Sequence, residues 1–287
     1  MLIDLQLHST YSDGYLTPTQ LAEFAARRGI QVAALTDHNT VSGLHEFVKA
    51  CHRYKIKPIK GMELYCKLNS RRFNILWYNF DETDSALHDT LRLSQVRRRR
   101  YMRTILLKLT KHGFRLNVNG ILDKYNHYVP VNHIIDEISA CPENLAKIKR
   151  ELKTDSPSEG QVIMEYFRDK RIGALKNSLI DFGRVVKLRK RIGGQLILCH
   201  PAKSNRVDRD FWKKLKDLGL DGVEVLSPHH PFDALVHVQR LAREFNFITT
   251  GGSDFHRLEG NNYRVQKSWD YFRIDTKYLR KVSRIIA

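Results

Sequence analysis

No stretch of this chain approaches the ~20 consecutive apolar residues that a membrane-spanning helix needs, so no membrane segment is expected. Its opening residues, MLIDLQLH, carry neither a basic start nor a long apolar core, and predict no secretory leader. Cysteine is scarce too. The four present, Cys51, Cys66, Cys141 and Cys199, lie far apart without a C-x-x-C pair, which argues for reduced thiols and a cytoplasmic setting. Three chemical signatures are missing. There is no G-x-S-x-G nucleophile elbow, no G-x-x-x-x-G-K-[ST] phosphate loop, and no G-x-G-x-x-G after a strand. Acidic residues are in deficit: 31 Asp and Glu face 49 Lys and Arg, leaving +18. A field of that sign attracts polyanions such as nucleic acid, nucleotides or an acidic surface. At 287 residues there is enough chain for one large domain or two smaller ones.

The first eighty residues alternate short apolar runs with helical patterns. LIDLQLH reads as a strand, and TPTQLAEFAARRG as a helix that Thr17 caps and Gly29 closes. IQVAALTDH is a second strand and TVSGLHEFVKACHRY a second helix, and IKPIKGMELY and RRFNILWYNF are further strands. Strand, helix, strand at this spacing predicts βαβ units and a parallel sheet. From Asp84 to Arg191 the strand signal disappears. DSALHDTLRLSQVRRRRYMRTILLKLTKHG predicts one long helix, with shorter helices at VNHIIDEI, GQVIMEYFRDK and SLIDFGRVVKLRKRIGG. The alternation then returns through GQLILCHP, GVEVLS and FNFITTGGSDFH. The expected organisation is an α/β domain of residues 1–83 and 192–287, interrupted by a mostly helical insertion, 84–191. The tail from YRVQKSW onward is basic and weakly patterned.

Polar residues gather at the ends of the predicted strands. His8 follows LIDLQL, Asp37 and His38 follow VAALT, and Glu63 follows IKPIKGM. His200 follows QLILC, and Asp254 and His256 follow FITTGGS. In a parallel α/β barrel all the strand carboxyl ends share one face, where active sites are built. Asp13, in a Ser-Asp-Gly turn, can swing its carboxylate back to the same rim. A single histidine after an apolar run is ordinarily structural. Seven His, Asp and Glu residues at one end of the strands instead suggest a metal centre, because buried charge clustered without a metal is strongly unfavourable. Imidazole with carboxylate suits Zn, Mn or Fe, and Glu63 could bridge two ions. His45, His52, His88, His112, His127, His133 and His237 fall in helices or loops and read as structural.

The segments DLQLHSTYSDGYLTP, ALTDHNTVSGL, GMEL, LCHP, GVEV and GSDFH together resemble the ordered motifs of the PHP (polymerase and histidinol phosphatase) family of metal-dependent phosphoesterases. The resemblance runs from residue 2 to about 260. The insertion is most similar to the nucleoside 3',5'-bisphosphate phosphatase branch, which includes trimming exoribonucleases. The fold this implies is a distorted (β/α)7 barrel holding two or three divalent ions. Carried over by motif, Asp13, His38 and His256 would hold one ion, and Gln6, His8, Glu63 and Asp254 a second. Glu63, His200 and Asn74 would hold a third. Asp13, His38 and His200 would bear the chemistry. The sequence departs from the family at Gln6 and Asn74, where histidine is usual, at Asn39, where aspartate is common, and at Arg257, where glycine is common. The family's Arg-Pro-His segment appears only as VPVNH.

Amide oxygen is a hard, neutral donor, so the two exchanges suggest a preference moved toward Mn²⁺ or Mg²⁺, with Mn the first expectation and Zn or Fe the others. Both exchanges run from histidine to amide, which argues for a shifted preference over random decay of the site, the other reading. The expected activity is hydrolysis of phosphate esters of nucleotides or short oligonucleotides. The alternative is a nucleic-acid-binding or regulatory module that has lost catalysis. Histidinol phosphate fits less well, since +18 exceeds what one small monoester requires. Arg97 to Arg100 are consecutive and sweep most of a helix circumference at 100° per residue. Arg98 and Arg99 could therefore grip backbone phosphates, or lay their stems along a core edge. Lys203, His229 and His230 follow strand ends and are further candidates for phosphate contact, Lys203 and His230 above all.

Overall fold

A computed structural model describes residues 1–169, 172, 175–176, 178–203, 207–258 and 273–287. Of the basic tail that begins at Tyr263, residues 263–272 lie outside the described residues, while 273–287 are described. The chain divides into two compact units, residues 1–90 with 179–287, and residues 91–178.

The first unit is built on one mixed sheet. Its strands are β1 (Leu2–Leu7), β2 (Val32–Leu35), β3 (Lys57–Leu68), β4 (Arg71–Tyr78), β5 (Ile180–Asp181), β6 (Gln195–Leu198), β7 (Gly222–Leu226), β8 (Ile248–Gly251) and β9 (Ile274–Asp275). The order is β8-β7-β6-β4-β3-β2-β1-β9, with β5 beside β3. A parallel bridge between Leu7 and Phe255 brings the chain beyond β8 against β1, so seven strands close into a distorted (β/α)7 barrel. At this seam His8 N–H donates to Phe255 O at 3.0 Å, and Asp4 accepts from Ser253 N–H at 3.0 Å. Strands buried on both faces read as continuous apolar runs, as VAAL of β2 does.

The expected all-parallel sheet is corrected at β4, which runs antiparallel to both β3 and β6. Only Asn69 and Ser70 separate β3 from β4, and a parallel pairing needs a crossover of a dozen residues or more. Asn69 takes the left-handed backbone that such a tight turn demands (φ 54°). The expected helix at SLIDFG is corrected too. Ile180 and Asp181 pair with β3, and the helix starts at Phe182, capped by the Asp181 carboxylate.

Helices follow their sequence signals closely. In α1 (Pro18–Arg27), Thr17 and Gln20 form a reciprocal capping box, Pro18 occupies the first turn, and Leu21, Ala22 and Ala25 are buried. α2 (Leu44–Arg53) buries Leu44, Phe47, Ala50 and Cys51, the i, i+3, i+6, i+7 stripe of a barrel-covering helix. α3 (Ser85–Lys111) is the one long helix of the sequence reading. The second unit has its own core, in which Met102, Ile105, Leu106 and Leu109 of α3 pack with Phe114, Ile134, Ile138, Ile148, Tyr166 and Phe167.

Candidate metal centre

Strand ends and the loops beyond them carry most of the site, but Glu63, expected at a strand end, lies inside β3, which continues to Leu68. His8 leaves β1, His38 bridges to Glu63 just past β2, and His200 and Asp254 follow β6 and β8. Asn39, His200 and Asp254 all have left-handed backbone (φ 49°, 26° and 52°), a conformation that non-glycine residues adopt at a cost. Asn39 is fixed by its side chain: Oδ1 accepts from Tyr65 N–H at 3.1 Å, while its own N–H donates to Glu63 O. Its amide therefore shapes the turn.

Asp13 reaches the rim because its loop is tied to Asp37. The buried Asp37 carboxylate accepts from Ser9 N–H, Ser9 O–H and Ser12 O–H at 2.6–2.7 Å. Asp37, which the strand-end pattern grouped with the metal ligands, is thus an organiser of the loop that carries Asp13.

The result is a tight cluster. One ligand atom from each of His8, Asp13, His38 and His256 fits within 4.8 Å of the others, as do those of His8, Glu63 and Asp254, and of Glu63, Cys199 and His200. His38 Nε2 is 3.4 Å from Asp13 Oδ2, and His256 Nε2 is 3.3 Å from Asp13 Oδ1. His8 Nε2 lies 3.3 Å from Glu63 and 3.1 Å from Asp254, and His200 Nε2 3.3 Å from Glu63. The imidazoles pack on one another, His8 stacked on His256 with ring centres 4.3 Å apart, and Tyr65 backs His38 at 4.5 Å.

Charge in this low-dielectric pocket is strongly coupled. Burial would raise Asp13, but His38 and His256 hold its carboxyl far below the ordinary range. Glu63 behaves likewise, burial being outweighed by His38, His200 and His8. Burial drives His38 down to about 4, keeping it the neutral imidazole that a metal ligand must be. For His8, burial is overcome by the Asp254 and Glu63 carboxylates, which hold it well above its usual value. Both ring nitrogens of His8 and the Oε1 of Gln6 are nonetheless buried without a hydrogen bond among the described residues. The His8 nitrogens in that state, facing carboxylates, fit a divalent cation; Gln6 Oε1 belongs to an amide whose Nε2 is taken up by Glu63 and Asp254.

The other candidates divide. Lys203 Nζ lies 3.5 Å from Asp254 Oδ2 and remains half-exposed. His230 is engaged by backbone on both sides, Nδ1 with Val225 O at 2.8 Å and Nε2 accepting from Ala202 N–H, and burial pushes it down to about 4. Its neighbour His229 is the one at the cluster, 2.6 Å from Asp254 Oδ2. Arg98 and Arg99 belong to the second unit. Arg98 is buried, donating to Val129 O at 2.6 Å with its guanidinium 4.0 Å over Tyr128. Arg99 donates to Leu122 O and pairs with Asp123 at 2.6 Å. Arg98 thus takes the core-edge side of the two readings, while Arg99 is engaged within its own unit but stays partly exposed.

Two contributors were not singled out from sequence. Glu224, in GVEV, accepts from His200 N–H at 2.8 Å and fixes that residue's unusual backbone; burial, then Asp254, push its carboxyl well up. Cys199 sits between Gln6 and Glu224 as a buried thiol. A carboxylate inside a strand that faces other carboxylates is the signal that could have found Glu224.

A model of the PHP domain matches residues 4–163, more than half of the chain. The chain belongs to the PHP family. This PHP protein is 28% identical over 256 residues to a 5'-3' exoribonuclease of Haemophilus influenzae, covering 88% of this chain and 89% of the relative. It is 25% identical over 266 residues to a 3',5'-nucleoside bisphosphate phosphatase of Chromobacterium violaceum, with 88% and 87% covered. A solved structure from Bifidobacterium adolescentis, named a metal-dependent phosphoesterase, superposes with a TM-score of 0.78 at 19% identity, covering 96% of this chain and 98% of that one. That likeness is one of fold. Among the described residues, no helix of the PHP protein is long and apolar enough to cross a membrane.

Proposed function

We propose that this chain is a metal-dependent phosphoesterase that hydrolyses phosphate esters of nucleotides or short oligonucleotides. The observation that carries the reading is the ligand cluster at the barrel rim, where His8, Asp13, His38 and His256 converge within 4.8 Å beside Glu63 and Asp254. The names of the relatives, an exoribonuclease in Haemophilus influenzae and a nucleoside bisphosphate phosphatase in Chromobacterium violaceum, support the same chemistry on RNA or nucleotide phosphates. The net charge of +18 favours a polyanionic substrate over a small neutral one.

Asp13, His38 and His256, with His8, are the proposed ligands of one ion, and Glu63, His200 and Asp254 the donors beside them; imidazole with hard carboxylate suits Mn²⁺, Zn²⁺ or Fe²⁺. When bound, a divalent ion there lowers the pKa of a water nucleophile and offsets charge on the phosphoryl group. The protein's own contributions are orientation and charge. Asp13, tied through its loop to Asp37, is held as a carboxylate. His38, kept neutral by burial, sets its Nε2 3.4 Å from Asp13 Oδ2, where the two could share an ion, and His200 is fixed by Glu224 where it faces Glu63. The half-exposed Lys203 ammonium beside Asp254 supplies positive charge at the rim for a phosphate oxygen. Arg98, Arg99 and His230 are read instead as supports of their own surroundings.

The test is a matrix of Mn²⁺, Zn²⁺, Mg²⁺ and Fe²⁺ against a nucleoside 3',5'-bisphosphate, a nucleoside monophosphate and short RNA and DNA. Turnover is expected on the bisphosphate or the RNA with Mn²⁺, and His8→Ala should abolish it. Binding of oligonucleotide with no turnover under any ion would replace this reading with that of a non-catalytic module.

A further inference from the structure

Gln6 and Asn74 converge on one carboxylate, Gln6 from β1 and Asn74 from β4. Gln6 Nε2 donates to Glu63 Oε2 at 2.9 Å and to Asp254 Oδ1 at 3.0 Å. Asn74 Nδ2 donates to Glu63 Oε1 at 2.5 Å. Asn74 reaches it across the hairpin: Glu63 pairs with Leu76 and Tyr65 with Asn74, so the amide is the diagonal neighbour of the acid. The remaining oxygen, Asp254 Oδ2, faces His229 Nε2 at 2.6 Å and Lys203 Nζ at 3.5 Å. Every carboxylate oxygen of Glu63 and Asp254 therefore faces a nitrogen of the chain. The Asp13 oxygens face the imidazoles of His38, His256 and His8, and Oδ1 also accepts from Ser12 O–H at 3.2 Å.

We infer that the centre is unequal by construction: Asp13, His38 and His256, with His8 alongside, retain one divalent ion, while the amides of Gln6 and Asn74 clamp the Glu63 and Asp254 side so that it retains no second one. An amide nitrogen has no lone pair to give a metal, so a clamp made through N–H occupies ligand positions without ligating. Lys203 supplies on that side part of the positive charge that a second ion would bring. The inference deepens the metal-dependent reading above and rests on it for the chemistry, though ion retention can be measured without any turnover.

The experiment counts ions. Wild type and Gln6→His with Asn74→His are loaded with excess Mn²⁺, desalted and assayed by elemental analysis, with circular dichroism recording the fold. Wild type should keep about one ion per chain and the double-histidine protein about two, because imidazole restores a ligand on each flank of Glu63. Any other wild-type count, or a folded double-histidine protein with no more ions than wild type, overturns the inference. Paramagnetic resonance of Mn²⁺-loaded wild type needs no variant. The signal of isolated ions supports the inference, and a spin-coupled pair overturns it. A chain that keeps one ion and cleaves nothing would remove the proposed function while leaving this inference standing.

Discussion

A methyl group at position 14 would lie 2.0 Å from the carbonyl oxygen of His8, so the Ser-Asp-Gly turn can close only as glycine. That one absent side chain lets Asp13 fold back onto the histidines. At this scale much of the site was legible. His8, His38, Glu63, His200, Asp254 and His256 stand directly after apolar runs, and a charged side chain there has few reasons to be buried except a shared task. What a sequence does not display is which acid carries a ligand and which holds a loop: Asp37 and His38 are adjacent, and only the hydroxyls of Ser9 and Ser12 around Asp37 separate their roles. His229 and His230 pose the same problem, one facing Asp254 and the other spent on backbone. The ligand assignment makes a direct prediction. His38→Ala and His256→Ala should each lower the Mn²⁺ retained by about one ion per chain in elemental analysis, as removal of a direct ligand from a small set requires. Full retention by both variants would show that the ion sits elsewhere.

Elements were legible where a local rule was strong. The capping box of α1 and the apolar stripe of α2 left little choice. The sheet was misread at β4 because two apolar runs in succession signal strands but not direction; the two-residue link at Asn69 and Ser70 does. β5 is two residues long and carries no periodicity to detect. In α3 the four consecutive arginines were ambiguous, because a helix circumference must send one of them inward. That one is Arg98, held by Val129 O and the face of Tyr128. Arg98→Ala should therefore lower stability in denaturant unfolding by about 2–4 kcal/mol, the loss of a charged hydrogen bond and a desolvated cation–π contact. The salt dependence of oligonucleotide binding should stay as it is. A slope reduced by about one with stability unchanged would make Arg98 a phosphate contact after all.

On the scale of the whole molecule, the barrel seam has a consequence in time. Gln6 and Asp254, which meet across it, are 248 positions apart in the chain, and the stacked His8 and His256 stand at the same two ends. Contacts of such separation carry the largest loop-closure entropy and form late, after neighbouring strand–helix units have condensed. During synthesis, residues 248–256 follow every other proposed ligand, so the growing chain has an open barrel and an incomplete metal centre until then. The ion can fasten only what folding has already closed. Mn²⁺ should accordingly slow unfolding in stopped-flow measurements while leaving the refolding rate nearly unchanged, as for any interaction absent from the transition state. Faster refolding with Mn²⁺ would mean that the two ends of the chain meet early. If they meet late, the bound ion acts as a latch on a finished barrel, and it governs how long the fold lasts rather than how fast it forms.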